Sequence, residues 1–537
     1  MRFVAAHRPL AWNGPLVTTA GLALALLTSL AVIQLSPAEG IAFVGLLGVV
    51  IGALIEPFVG LAAGLFVGPL KAYLSAEVPQ VPPQVGHLFI ALALGSWLLK
   101  GLSRRDVRIP SPFGSQSSPL FLPLLAFLGG SLLSLWNAIG LLSYGIPELV
   151  KWGEIVLLFV FVQEHLAARG VSNHGSMRRI AGPAGRRLRG LLVVVWAGGL
   201  VQALIGIWQF GLRRDGPDHF RILRGNFFRA YGTFEQPNPY GGYIGLTTAL
   251  ALGTVVALLW DRFIAGKPDA PADHRLLQTA APGPAVAWHS TRSFEWPLFG
   301  FGVAATMAML PALVVTWSRG AWMGFGAATL AMAAALPRRT LWSAILVAAL
   351  AVAGVGLYVS GRLPASFTHR LTSFVQDIRL EDVRGVPIND ANYAVVERLA
   401  HWQAAFSMVR HRLWTGVGLG CYEAAYPTFA LINWPIALGH AHNIYLNLWA
   451  ETGLLGLTAY LILWGAVFWQ TWLVTRRARG LARGIGVGLL GVWTHVTVHH
   501  LLDNLFVNNV HLHLGVLLGL GAFVMQQTNR MTSIHDR

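Results

Sequence analysis

Charge is what this sequence has least of. Asp, Glu, Lys and Arg make up 12% of its 537 residues, about half the ~25% of an ordinary soluble chain. Acidic residues are the scarcer kind, 23 against 39 basic ones, which leaves a formal net charge of +16. Cysteine is nearly absent too. Cys421 stands alone, which excludes an intramolecular disulfide framework and any cysteine-rich zinc or iron–sulfur centre. So little charge cannot solvate a large globular surface, and soluble enzyme, nucleic-acid binder and disordered scaffold all fit poorly. What is abundant is apolar: 55% of the residues are hydrophobic and the mean hydropathy is +0.57. A spanning helix uses about 20 apolar residues, and there is material here for a dozen or more. The expected fold is an all-α polytopic membrane protein.

Candidate spans run near 14–35, 41–57, 58–75, 86–101, 119–139, 149–167, 189–212, 239–260, 296–317, 320–337, 340–360, 453–473, 485–503 and 508–526, giving about 12–14 transmembrane helices. Glu56, Pro57 and Gly60 interrupt the 41–75 stretch, which reads as two short spans or one broken helix. Met1–Arg8 is short and basic, and the apolar run behind it is long enough to remain as the first span instead of being cleaved. Arginine clusters lie at 104–108, 169–189, 338–339 and 476–483. With fourteen spans all four fall on one face, and the bias of Lys and Arg toward cytoplasmic loops makes that face, and both termini, cytoplasmic. The net positive charge is then a loop signature, with no nucleic-acid partner implied.

The expected organisation is N-terminal transmembrane helices over 1–212, an arginine-rich outer loop over 213–238 and central helices over 239–360. A cytoplasmic linker at 261–294 interrupts the central set; a large outer loop covers 361–442, and C-terminal helices cover 443–526. The large loop is too long to be a plain connection. Within it Val395, Leu399, Trp402, Phe406 and Val409 recur at steps of four, three, four and three, which predicts an amphipathic helix over 391–409, lying on the membrane or capping a cavity.

Three features carry candidate chemistry. The shorter outer loop holds Arg213, Arg214, Arg221, Arg224 and Arg229 where basic residues should be depleted. Either the topology is misplaced, or these arginines bind an anion, for which a planar guanidinium is suited. Trp317-Ser318-Arg319-Gly320 joins two apolar segments with almost no loop between them. Arg319 can simply snorkel to water there, or Gly320 can permit a tight corner that presents it. Where the long loop re-enters the membrane stands His440-Ala441-His442-Asn443. A histidine there is a natural general base, although a boundary histidine is often structural. A last group, His495, His499, His500, His511 and His513 with Asp503 nearby, offers a metal pair at His495 and His499 or, more simply, hydrogen bonds between helices. Asp503 and Asn504 are expected on the outer side, where they can line a cleft.

His442-Asn443, nine residues, Gly453, two residues and Gly456 resembles the signature of the O-antigen ligases and the related O-antigen polymerases. Ser318-Arg319-Gly320 at a membrane edge, Arg398 in the large loop and Gly416-Val417-Gly418-Leu419-Gly420 ahead of the histidine extend the resemblance over roughly 225–460. One departure is Trp402, where the ligase pattern expects a leucine four residues after Arg398. The resemblance implies a GT-C-like membrane glycosyltransferase of the bacterial cytoplasmic (inner) membrane. Its donor would be a glycan on undecaprenyl pyrophosphate, and its acceptor a sugar on lipid A–core or on another lipid-linked repeat. It also implies that His442 activates the acceptor hydroxyl while Arg319 and Arg398 contact the pyrophosphate. Arg229, by loop position, joins Arg221, Arg224, His440 and Asn443 as expected substrate contacts. The implied chemistry is inverting and metal-independent with no cofactor, consistent with the lack of an Asp-X-Asp pair in the outer loops. Partners are the donor, the glycan acceptor and membrane lipids. The other class open to this sequence is a transporter or flippase of lipid-linked sugars, against which stand the scarcity of charge at span centres and the absence of an internal repeat.

Overall fold

The computed structural model describes residues 36–78, 81–82, 84–103, 118–167, 183–264, 295–377, 382–389 and 392–535. The expected span at 14–35, most of the linker at 261–294 and the arginines at 104–108 and 169–179 lie outside these residues. The chain divides into two compact units, Met1–Gly64 with Leu88–Asp106, and Leu65–His87 with Val107–Arg537.

The helices are α1 (Pro37–Ile55), α2 (Pro57–Val67), α3 (Lys71–Glu77), α4 (Val85–Ser103), α5 (Phe121–Ser134), α6 (Leu142–Ala167), α7 (Pro183–Trp208), α8 (Pro237–Leu259), α9 (Trp296–Val315), α10 (Arg319–Ala335), α11 (Thr340–Val359), α12 (Ala365–Asp377), α13 (Tyr393–His411), α14 (Tyr422–Phe429), α15 (Ile444–Arg477), α16 (Gly480–His499) and α17 (Val510–His535). A two-stranded antiparallel ribbon, β1 (Arg221–Ile222) with β2 (Phe227–Phe228), completes the secondary structure. Among the described residues, ten helical segments are long and apolar enough to cross a bilayer. The all-α polytopic fold is what the composition demands. The 41–75 stretch breaks at Glu56: α1 ends there and Pro57 starts α2, as expected where proline removes a backbone donor. The stretch expected as a span at 320–337 is the 17-residue α10, about 26 Å long at 1.5 Å per residue, and it is not among those ten.

In the first unit the Oγ of Ser36 accepts from the Glu39 amide while the Glu39 carboxylate accepts from the Ser36 amide, a capping box on α1. The second unit is built around α8, α16 and α17, the most enclosed of its long helices. Close approach comes from small residues, as packing without a hydrophobic driving force requires. A Cβ on Gly253 of α8 would stand 2.5 Å from the Cα of Gly488 on α16.

At one end of this unit the basic residues are structural as well as charged. Arg483 is fully buried, donates from Nε to the Thr475 carbonyl at 3.0 Å and pairs with Asp261. Arg338 donates to the carbonyls of Arg476 and Ala478. These contacts cap helix C-termini, where exposed carbonyls favour cations. They also give Asp261 a partner at the start of the 261–294 linker.

The other end carries both loops expected to face outward, and α15 enters it broken. Gly453 has φ +65° inside the helix, so the carbonyls of Ala450 and Glu451 lose their usual donors four residues on. They accept instead from the amides of Val417 (2.9 Å) and Gly418 (2.8 Å), while the amides of Leu454 and Leu455 donate to the carbonyls of Leu413 and Trp414. The loop segment thus remakes the two interrupted helical bonds, meeting the demand that buried backbone groups be paired. A Cβ on Gly453 would lie 2.3 Å from the Thr415 nitrogen, and one on Gly416 2.3 Å from the Glu451 carbonyl carbon. Only glycine fits at either place, which is the physical content of this part of the motif.

Candidate active site

The 213–238 loop splits its arginines between two tasks. Arg213 pairs with Asp215, and Arg221 donates to Asp218 at 2.8 Å while lying over the Phe228 ring. The side chain of Arg224 lies outside the described residues. Arg221 is therefore satisfied locally and exposed, and the structure does not bring it to the cleft described next. Arg229 turns inward. Its Nε donates to the Thr316 carbonyl and its Nη2 to Asn238 Oδ1, both at 3.0 Å. The adjoining amide of Ala230 donates to the Val315 carbonyl, so this loop is fastened to the corner between α9 and α10.

That corner differs from expectation. The left-handed residue is Trp317, φ +55°, and not Gly320. Ser318 then caps α10 by accepting from the Ala321 amide, and Arg319 opens the helix. Gly320 is needed for room, because a Cβ there would meet the His499 ring at 2.5 Å. The helix expected at 391–409 forms as α13. Val395, Leu399 and Val409 are buried as the pattern requires, but Phe406 is exposed and His401 is buried. The second helix of the loop, α12, supplies Arg370, which the sequence reading passed over.

Arg229, Arg319, Arg370 and Arg398 line one cavity of about 110 Å³ together with Asn238, Ser318, Val395, Leu399, Trp402, His499, Leu502 and Asp503. Four guanidinium groups share that wall with one carboxylate. Burial, and then the charges of Arg370, Arg398 and Arg319, push Arg229 down to about 9. Burial, with Arg319 and Arg398, brings Arg370 down to about 10. Both stay cationic at neutral pH. Crowded like charges of this kind call for a multiply charged anion. The Nε of Arg370 and of Arg398 is buried without a hydrogen-bond partner among the described residues.

Asp503 joins this cavity to the histidines. The His440–Asn443 segment is pinned to the turn after α16: the Ile444 amide donates to the His500 carbonyl at 3.0 Å and Asn443 Nδ2 to the Leu501 carbonyl at 3.1 Å. Asn443 also caps α15, its Oδ1 accepting from the amides of Tyr445 and Leu446. His442 sits at φ +51°, with its Nδ1 3.5 Å from Asp503 Oδ1. The His442 amide donates to Nδ1 of His440 at 3.0 Å, which puts the His440 proton on Nε2, 3.8 Å from the same carboxylate oxygen. Burial, with the charge of His442 next, pushes His440 down to about 3, so it is neutral. Burial alone would raise Asp503, but the hydrogen bond and charge of His442, the charge of His440 and that of Arg398 outweigh it and hold the carboxyl far below its usual range. His401 packs edge-on against His442 with 5.9 Å between centroids, and its Nδ1 lies 3.0 Å from the Tyr422 hydroxyl. Burial and His442 push it down to about 4.

His442 Nε2 is buried and has no partner among the described residues, as a base awaiting a substrate hydroxyl would be. His440, His442 and Asp503 also have the donor set for a metal ion, their ligand atoms lying within 4.8 Å of one another. The His495 and His499 pair raised by the sequence is divided: His499 lines the cavity, while His495 donates to the Gly242 carbonyl at 3.1 Å. Arg370 and His401 are the residues that sequence reasoning missed. A clue to Arg370 was available in the one-sided helix 365–377; His401 sits three residues after Arg398 with nothing local to mark it.

No curated protein matches the chain. Residues 304–461 match the family described as O-antigen ligase. That stretch contains Arg319, Arg370, Arg398, His401, His440 and His442, whereas Arg229 and Asp503 fall outside it. The match covers under a third of a polytopic chain of apolar helices, and within that stretch the protein is similar to the O-antigen ligases.

Proposed function

We propose that this protein transfers a glycan from undecaprenyl pyrophosphate to an acceptor sugar at the outer face of the bacterial cytoplasmic membrane, by an inverting reaction with no metal ion. The observation that carries the reading is the junction at Asp503, one carboxylate shared by the four-arginine cavity and by His442. The pyrophosphate sits among Arg229, Arg319, Arg370 and Arg398. The acceptor oxygen attacks the anomeric carbon, and its proton passes to Nε2 of His442. The bond from that carbon to the phosphate oxygen breaks, and its electron pair leaves with undecaprenyl pyrophosphate. Arginine stabilises charge that grows on the leaving group, and Asp503 stabilises the imidazolium that forms.

His440 acts as a neutral support for Asp503, and Asn443 acts by holding the turn, so both shape the site more than they touch sugar. A flippase would have no use for a base beside the anion cavity. The arginine-rich end, across the helices from the cavity, supports reading the termini as cytoplasmic. The test is transfer by purified protein from an undecaprenyl-pyrophosphate glycan to defined acceptors. Product on lipid A–core supports a ligase and product on lipid-linked repeats a polymerase; transfer to neither, with the lipid instead moved across vesicles, overturns the reading.

A further inference from the structure

A second cluster of chemistry lies outside the cavity and plays no part in the reaction above. His87 at the start of α4, Glu154 within α6 and His511 at the start of α17 meet at one point in the second unit. His87 Nδ1 is 2.8 Å and 3.1 Å from the two oxygens of Glu154, and His511 Nε2 is 3.0 Å from Oε2. The two rings stack with centroids 5.6 Å apart. All three ligand atoms lie within 4.8 Å of one another.

Proton accounting sharpens what this cluster can hold. Asn509 Nδ2 donates to the Gly68 carbonyl at 3.2 Å, so its Oδ1 is the atom facing His87 Nε2 at 2.8 Å. His87 must therefore carry its proton on Nε2. In a neutral ring Nδ1 is then a lone pair, and it faces a carboxylate oxygen, which is another. Two acceptors at that distance need a cation between them, either a proton that makes His87 an imidazolium or a metal ion. The rest of the arrangement fits the second. Two imidazole nitrogens and one carboxylate from three separate helices form a zinc donor set, and a ligating histidine normally gives its other N–H to a carbonyl oxygen, as His87 does to Asn509. Zinc bonds of about 2.0–2.1 Å set ligand atoms roughly 3.3 Å apart, a few tenths of an ångström beyond the 2.8 Å and 3.0 Å from Glu154 to the two imidazole nitrogens.

We propose that His87, Glu154 and His511 bind one divalent transition-metal ion, zinc by preference, which fastens the segment ending at His87 to α6 and α17 within the second unit. The exchange balances: the ion displaces the proton between His87 and Glu154, His511 moves its proton from Nε2 to Nδ1, and one proton leaves per ion bound. The inference is independent of the reading of the cavity.

The test uses tag-free, full-length protein in nanodiscs, titrated with Co²⁺ followed by its visible bands and with Zn²⁺ followed by proton release. The wild type should take up about one equivalent and release about one proton. Glu154→Gln and His511→Ala should each weaken binding at least tenfold, while His442→Ala leaves it unchanged, which separates this site from the histidines of the cavity. Absence of binding by the wild type overturns the proposal, as does binding that survives Glu154→Gln in protein with an unaltered unfolding temperature. Loss of binding in His442→Ala overturns it as well. Should the triad variants fail to fold, the stoichiometry and proton release of the wild type, with the His442→Ala control, decide the matter.

Discussion

Asp503→Asn separates the two halves of the proposed site, because the carboxylate acts on them with opposite sign. It faces His442 Nδ1 at 3.5 Å, so it stabilises the imidazolium formed as the acceptor loses its proton. At an effective dielectric constant of about 20–40, a charge pair at that distance is worth roughly 2–5 kcal/mol. With tenfold in rate for each 1.36 kcal/mol, kcat should fall about 50- to 3,000-fold. In the arginine cavity the same carboxylate competes with the donor's pyrophosphate for guanidinium groups, so its removal should leave donor KM unchanged or lower it. Asparagine keeps Oδ1, which accepts from the Asn504 amide at 2.8 Å, and the turn should persist. Initial rates of transfer by purified variant protein, with donor concentration varied at saturating acceptor, give both constants. A kcat within threefold of the wild type would refute the base assignment. A raised donor KM at normal kcat would show that Asp503 holds the substrate instead.

His442→Ala should lose about 10²–10⁴-fold in transfer, the contribution of a positioned base, with donor binding preserved, while His440→Ala loses less; the reverse order in the same assay would mean the wrong ring has been assigned. Transfer should persist in excess EDTA and gain nothing from Mg²⁺ or Mn²⁺. Activity lost in chelator and restored by either of these oxygen-seeking ions would defeat the arginine mechanism. Gly453→Ala should cost on the order of 3 kcal/mol or more through its backbone angle and its clash with the 414–415 backbone, seen as a lowered unfolding temperature in detergent, whereas Gly465→Ala, with open space around it, should be neutral. His401 and His440 are pushed down on folding to about 4 and about 3, so below the ordinary histidine value of about 6.5 the unfolded chain binds more protons than the folded one. Stability should therefore fall as pH drops from about 6.5 toward 4, and unfolding temperatures across that range should flatten in His401→Phe.

The helices were legible because apolar run length is a local property that a bilayer enforces. The arginine at the α9–α10 corner and the histidine at the α15 entrance were legible for a related reason, since charge at a membrane boundary stands out against apolar flanks. What escaped were residues whose meaning depends on distant chain. Arg370 sits on a one-sided helix whose pattern names no partner, and only the packing of the loop brings it into the same cavity as Arg319. The 213–238 arginines looked alike in sequence, yet Asp218 neutralises Arg221 locally while the Thr316 carbonyl draws Arg229 inward. His87 and His511 are 424 positions apart, and no spacing rule reaches that far. The positive φ fell on Trp317 and not on Gly320 because the glycine was required for a neighbour's ring and the turn was left to a bulkier residue.

The interrupted helix at Gly453 bears on how such proteins can be recombined. The bonds that Ala450, Glu451, Leu454 and Leu455 would have made along their own helix are made with residues 413–418 of the outer loop. Loop and membrane helix are, in hydrogen-bonding terms, one element read from two places in the chain. A graft that moved the outer loop at the membrane surface, cutting at residue 443, would divide that element between donor and host and set the glycines of one against the backbone path of the other. The smallest transplantable piece runs from the start of the outer loop through Gly456, and an acceptor specificity encoded in the loop should travel only when that length of helix travels with it.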